Sequence, residues 1–81
     1  MKFNVLLFAA VREAADADAI AIELNDDATA KDVLEEVAQR LPSVSGLLPA
    51  CRVALDSRYV APDTAVAAAT EIAIIPPVSG G

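Results

Sequence analysis

Eighty-one residues, 56% of them hydrophobic and 22% charged, with a formal net charge of -6, fit one small domain and exclude intrinsic disorder, since enough apolar surface is present to build a core. The six Lys and Arg stand singly, at Lys2, Arg12, Lys31, Arg40, Arg52 and Arg58, so no basic cluster exists to neutralise phosphates and no nucleic-acid partner is expected. Twelve acidic residues give an anionic surface that fits steering toward a basic partner, although an ordinary solvated face is the commoner case and needs no such explanation.

Met1-Lys2-Phe3-Asn4 leads into a short apolar stretch with no small-residue cleavage site behind it, and no apolar run approaches a membrane span. A cytoplasmic protein with no membrane partner is expected. The single Cys51 cannot form an internal disulfide and sits in the apolar stretch Cys51-Arg52-Val53-Ala54-Leu55, where a small buried thiol fits. The chain has no His, which removes the usual base of a Ser or Cys hydrolase and the commonest zinc ligand; no metal site is expected. A free-standing enzyme would have to use paired carboxylates in a cleft, and the acids fall mostly on turns and on one helix face.

Lys2 to Ala9 alternates, with Phe3, Val5 and Leu7 pointing one way and Leu6 and Phe8 the other, and reads as a central strand. Arg12 to Asp18 reads as a polar, Ala-rich turn, in which Arg12 and Glu13 are solvated or touch a partner. Ala19 to Leu24 alternates again and ends at the turn-favouring Asn25-Asp26-Asp27. Thr29 sits where an N-cap belongs and Asp32 follows as a shorter capping-box acid. Apolar residues at Ala30, Val33, Leu34, Val37, Ala38 and Leu41 then predict an amphipathic helix over 30–40, stopped by Pro42. Ser43 to Pro49 reads as a loop. Arg52–Leu55 and Arg58–Val60 read as a hairpin about Asp56-Ser57, and Pro62-Asp63-Thr64 as a turn. Ala65 to Thr70 is a short connection, and Glu71–Ile75 a last strand.

The order strand, strand, helix, strand, strand, strand predicts an α+β, β-grasp (ubiquitin-like) mixed sheet covered by one main helix. The first and last strands, the most apolar, are expected side by side and parallel at its centre. The domain is expected over 1–75, followed by an extended flexible tail over 76–81.

Pro76-Pro77 cannot continue a strand, because neither residue has an N–H for the ladder. Residues that precede proline are pushed to extended conformations, so the tail projects outward, and six residues at about 3.3 Å each reach roughly 20 Å. Gly80-Gly81 offers no side-chain contact and is costly to order; what it gives is access, since a backbone without Cβ threads a narrow channel and presents a terminal carboxylate. A frayed terminus also ends this way. The stiff diproline, the apolar strand before it and the element order together favour the functional reading.

From Val5-Leu6-Leu7-Phe8-Ala9 with Arg12-Glu13 to Glu71-Ile72-Ala73-Ile74-Ile75-Pro76-Pro77-Val78-Ser79-Gly80-Gly81, the chain resembles the ThiS/MoaD-type sulfur carriers, and among them the branch that serves molybdopterin synthase as its small subunit. It departs from them at Ala69-Thr70, where members often show Gly-Asp, and at Ile74-Ile75, where they often carry two aromatics. The resemblance implies that Gly81 is the reacting residue. Its carboxylate is adenylated by a separate E1-like (MoeB-like) enzyme that uses ATP and Mg, and becomes a thiocarboxylate that donates sulfur to cyclic pyranopterin monophosphate. The chain itself binds no cofactor and is not catalytic alone. A large (MoaE-like) subunit supplies the pocket, in a heterotetramer of two large and two small subunits. The resemblance also implies partner contacts at Gly80, Ser79, Val78, Pro77, Pro76, Ile75 and Tyr59, with ordinary packing open for the last two. Alternatives are a carrier for thiamine or cysteine synthesis or tRNA thiolation, and a protein modifier conjugated through Gly81.

Overall fold

The computed structural model describes residues 1–77. Alternation sets strand β1, Lys2–Leu7, which turns Phe3, Val5 and Leu7 into the core and leaves Lys2 and Asn4 exposed. Strand β2, Ala19–Glu23, pairs antiparallel with it, Phe3 opposite Ile22 and Val5 opposite Ile20.

Between these strands lies a helix, α1, over Ala9–Ala15, where the sequence reading placed a turn. Its composition explains both the helix and the misreading. Alanine is the best helix former, but Val11 is the helix's only buried side chain, so no apolar stripe marks the element. Asp16, at φ 54°, ends it. The Asp16 N–H donates to the Glu13 carbonyl at 3.3 Å and the Ala17 N–H to the Arg12 carbonyl at 3.4 Å, the paired pattern that closes a helix through one left-handed residue. Arg12 and Glu13 therefore lie on an exposed helix face, not in a turn.

Helix α2 spans Ala30–Arg40, as its periodicity predicts, with Ala30, Val33 and Val37 buried. The capping box is closed in both directions: the Thr29 N–H donates to Asp32 Oδ2 at 2.9 Å, and the Asp32 N–H to Thr29 Oγ1 at 3.4 Å. Two further orphan donors of this first turn find partners in the downstream connection, Ala30 N–H on the Thr64 carbonyl and Lys31 N–H on the Pro62 carbonyl, both at 2.9 Å. The 62–66 segment is thereby fastened to the start of α2, with Val66 fully buried.

The region read as a loop contains two short 3₁₀ turns, Pro42–Val44 and Leu48–Ala50, each placing one apolar residue, Val44 or Leu48, in the core. Strands β3, Arg52–Leu55, and β4, Arg58–Tyr59, form the expected hairpin. Asp56 and Ser57 at its tip have φ of 50° and 71°, the two positive values whose twist suits a two-residue hairpin loop. The Asp56 carboxylate also accepts from the N–H groups of Thr70 and Glu71, at 3.0 and 2.8 Å, which fixes the chain as it enters strand β5, Ile72–Ile75.

The sheet order is β2-β1-β5-β3-β4. Every neighbouring pair is antiparallel except β1 with β5, which run parallel with Val5 opposite Ile72 and Leu7 opposite Ile74. One face carries Val5, Leu7, Val53, Ile72 and Ile74 into the core with Val33 and Val37 of α2. This is the β-grasp arrangement, with α2 as its main helix and α1 a second, short one.

Thr29→Ala removes the N-cap acceptor and is expected to cost about 1 kcal/mol, read as a lower midpoint in urea with an unchanged slope. Ala9, the first residue of α1, holds φ 50°, a region a Cβ disfavours. Ala9→Gly is expected to raise stability by roughly 0.5–1 kcal/mol and the thermal midpoint by about 2–8 °C.

Candidate functional site

The face of the sheet turned away from α2 is built by the same alternation that fills the core. Ala54 and Ala73 are directly paired and lie on this face, outside the core cluster, so small side chains make its floor. At the floor's end near the exit of β5 a row of larger side chains crosses the strands. Ile75, half-buried, pairs with the exposed Arg52, and the Arg52 guanidinium carbon lies over the Tyr59 ring, 5.0 Å from its centroid. Tyr59 stands opposite Ala54 and is 56% exposed. On the other flank, Phe8 follows Leu7, the partner of Ile74, in extended conformation (φ -127°, ψ 154°) and is 42% exposed. Leu7 points into the core, so Phe8 points to the open face.

The chain leaves this row through Pro76, half-buried, and Pro77, exposed. Of the residues singled out from the sequence, the structure brings Ile75 and Tyr59 onto one face with Arg52 between them. Val78, Ser79, Gly80 and Gly81 lie outside the described residues. Phe8 and Arg52 joined no proposed site in the sequence. The signal for both was present, since alternation already turned Phe8 away from Leu7, but only strand pairing shows which residues then become neighbours.

Cys51 is buried next to this hairpin, and its thiol donates to the Leu47 carbonyl at 3.2 Å. Burial pushes its pKa up, which disfavours the nucleophilic thiolate. Among the described residues, no group of three or more His, Cys, Asp or Glu is placed to hold a metal ion, and no helix is long and apolar enough to cross a membrane.

A small mixed sheet that grips one main helix, and whose central strand runs into Pro76-Pro77, defines a β-grasp protein. Residues 5–81 match the ThiS family, and the chain belongs to it. The chain is 37% identical over 83 residues to a molybdopterin synthase sulfur carrier subunit from Chlamydomonas reinhardtii, with all of both chains covered. It is 40% identical to one from Haemophilus influenzae, covering 96% of this chain and 98% of that one. The crystal structure of SAMP1 from Haloferax volcanii superposes with a TM-score of 0.83 at 28% identity and covers both chains fully.

The Cys51 thiol is expected to alkylate more than about tenfold more slowly in the native protein than in urea at about pH 8. The folded thiol ionises at higher pH than the unfolded one. Its contribution to stability is therefore intact below the unfolded pKa and is lost as pH rises through the folded one, a loss that Cys51→Ala removes from the stability–pH curve.

Proposed function

We propose that this chain is the sulfur carrier of a molybdopterin synthase and works through the carboxyl group of Gly81. The observation that carries the reading is full-length similarity, at 37% and 40% identity, to proteins that bear this name. The chain's own chemistry fits it. A carboxylate is a poor acceptor for a sulfur nucleophile, and an acyl-adenylate is a good one, because AMP leaves with the electron pair of the broken C–O bond. ATP and Mg belong to the activating E1-like partner. The product is a thiocarboxylate, a soft nucleophile that a large subunit receives together with cyclic pyranopterin monophosphate, in an assembly of two large and two small subunits.

In this reading the row Phe8, Ile75, Arg52 and Tyr59 docks the folded domain, and Pro76-Pro77 directs the following residues away from it. Gly80 and Gly81 supply the slender backbone that enters the partner's pocket. The division of labour suits a carrier. The domain is recognised by two successive partners, and the reacting atom is delivered at a distance from it.

A second reading has support of its own. The Haloferax structure bears the name of a small archaeal modifier protein, and on that likeness Gly81 would be joined to a lysine of another protein instead of receiving sulfur. Both readings use the same activated carboxyl group and differ in the nucleophile that meets it.

Incubation with the cognate activating enzyme, ATP and a sulfur source is expected to exchange one terminal oxygen for sulfur in the intact mass, and deletion of Gly81 to abolish the exchange. Gly80→Val is expected to slow loading by at least about tenfold, equivalent to about 1.4 kcal/mol in the barrier. Gly81–lysine linkages in lysates without thiocarboxylate favour the modifier. If neither product forms and cells lacking Gly81 retain function, both readings fail.

A further inference from the structure

We infer that Arg52 is a specificity-determining docking residue, and that the protein partner covering the open sheet face presents a carboxylate to it from within an apolar rim. The inference rests on the sulfur-carrier reading and names the chemistry that its docking surface requires.

Three of the six cations are paired with a carboxylate among the described residues. Arg12, Lys31 and Arg40 each lie within 4.0 Å of a carboxylate, at Asp18, Glu35 and Glu36. Among the described residues Arg52 has no such partner; it has the Tyr59 ring. A guanidinium held over an aromatic face keeps its in-plane N–H donors available and loses side-chain freedom before any partner arrives. Its surroundings are apolar: Ile75 opposite it, and Ala54 two residues along the same face.

A partner that covers Ile75 and Tyr59 must therefore also remove water from the Arg52 guanidinium. Burial of an unpaired charge is strongly unfavourable, so the covering surface has to return a counter-charge, and a carboxylate matches the guanidinium fork with two parallel hydrogen bonds. The rest of the molecule sharpens this. With a net charge of -6 and acids at Asp26, Asp27, Glu35 and Glu36, a partner attracted at long range is basic. Beside the diproline the sign is reversed. A basic partner with one acid inside its apolar docking patch fits in a single orientation, and any other places like charges together.

The test is titration of the full-length chain into the cognate large synthase subunit, at low and high salt. Arg52→Glu is expected to weaken binding by about thirtyfold or more, Arg52→Ala by about tenfold, and Arg52→Lys by an intermediate factor. Arg58→Glu makes the same change of charge on the same hairpin, on the face opposite Tyr59, and is expected to stay within about threefold of the parent. Arg52→Ala leaves the chain one charge more negative, so its long-range attraction to a basic partner is kept, and the affinity it loses is expected to stay lost at high salt because the broken pair is buried and little screened. Thermal midpoints of all variants, measured alongside, show that the fold is retained. The inference is overturned if Arg52→Glu binds within about twofold of the parent, or if Arg58→Glu loses as much affinity as Arg52→Glu. Loss of binding in Ile75→Asp, with Arg52→Glu unaffected, overturns the inference and leaves the carrier reading standing. A parent chain that does not bind the large subunit overturns both.

Discussion

The parallel pairing of β1 with β5 is the constraint on which the rest of the molecule depends. The two strands are far apart in sequence but adjacent in the sheet, and each contributes side chains to the same buried face, Val5 and Leu7 from one, Ile72 and Ile74 from the other. A parallel pair cannot be closed by a tight turn, so everything between them becomes crossover, and α2 is the part of that crossover able to cover the apolar face. The remaining strands then have only the outer positions to fill, β2 beside β1, and β3 with β4 beyond β5.

The same pairing decides where the chain leaves. β5 is the middle strand of five, flanked on both sides, and its extension is stopped because Pro76 and Pro77 have no N–H to offer either neighbour. The chain thus leaves the sheet from its central strand, at Pro76. Around that point the side chains are sorted by face: Ile74 is fully buried, and Ile75, one residue on, belongs to the open row with Phe8, Arg52 and Tyr59. The paired Ala54 and Ala73 next to that row are small and buried among their larger neighbours.

Much of the fold was legible in the sequence because its signals are local and periodic. Helix α2 matches its expected bounds, since an apolar stripe, a capping box and a proline stop act independently at the same place. The hairpin and the central parallel pair were legible for similar reasons. Helix α1 was not, because Ala9–Ala15 holds one large apolar side chain, and a helix fixed by alanine propensity and a left-handed Asp16 carries no periodic stripe. The loop over 43–49 hid two 3₁₀ turns for a related reason: elements of three residues are too short for any period to show.

The sequence by itself determined the chemistry that this chain offers: a diproline that must end a strand, two glycines without Cβ at 80 and 81, no histidine, and one cysteine in an apolar run. These follow from covalent structure and hold whatever the fold. The tertiary structure alone decided the neighbourhood. Phe8, Arg52, Tyr59 and Ile75 are far apart in the chain and become one row only because β1, β5, β3 and β4 pair in that order and register. Register depends on long-range hydrogen bonds and on burial of the opposite face, and no local pattern of residues specifies it.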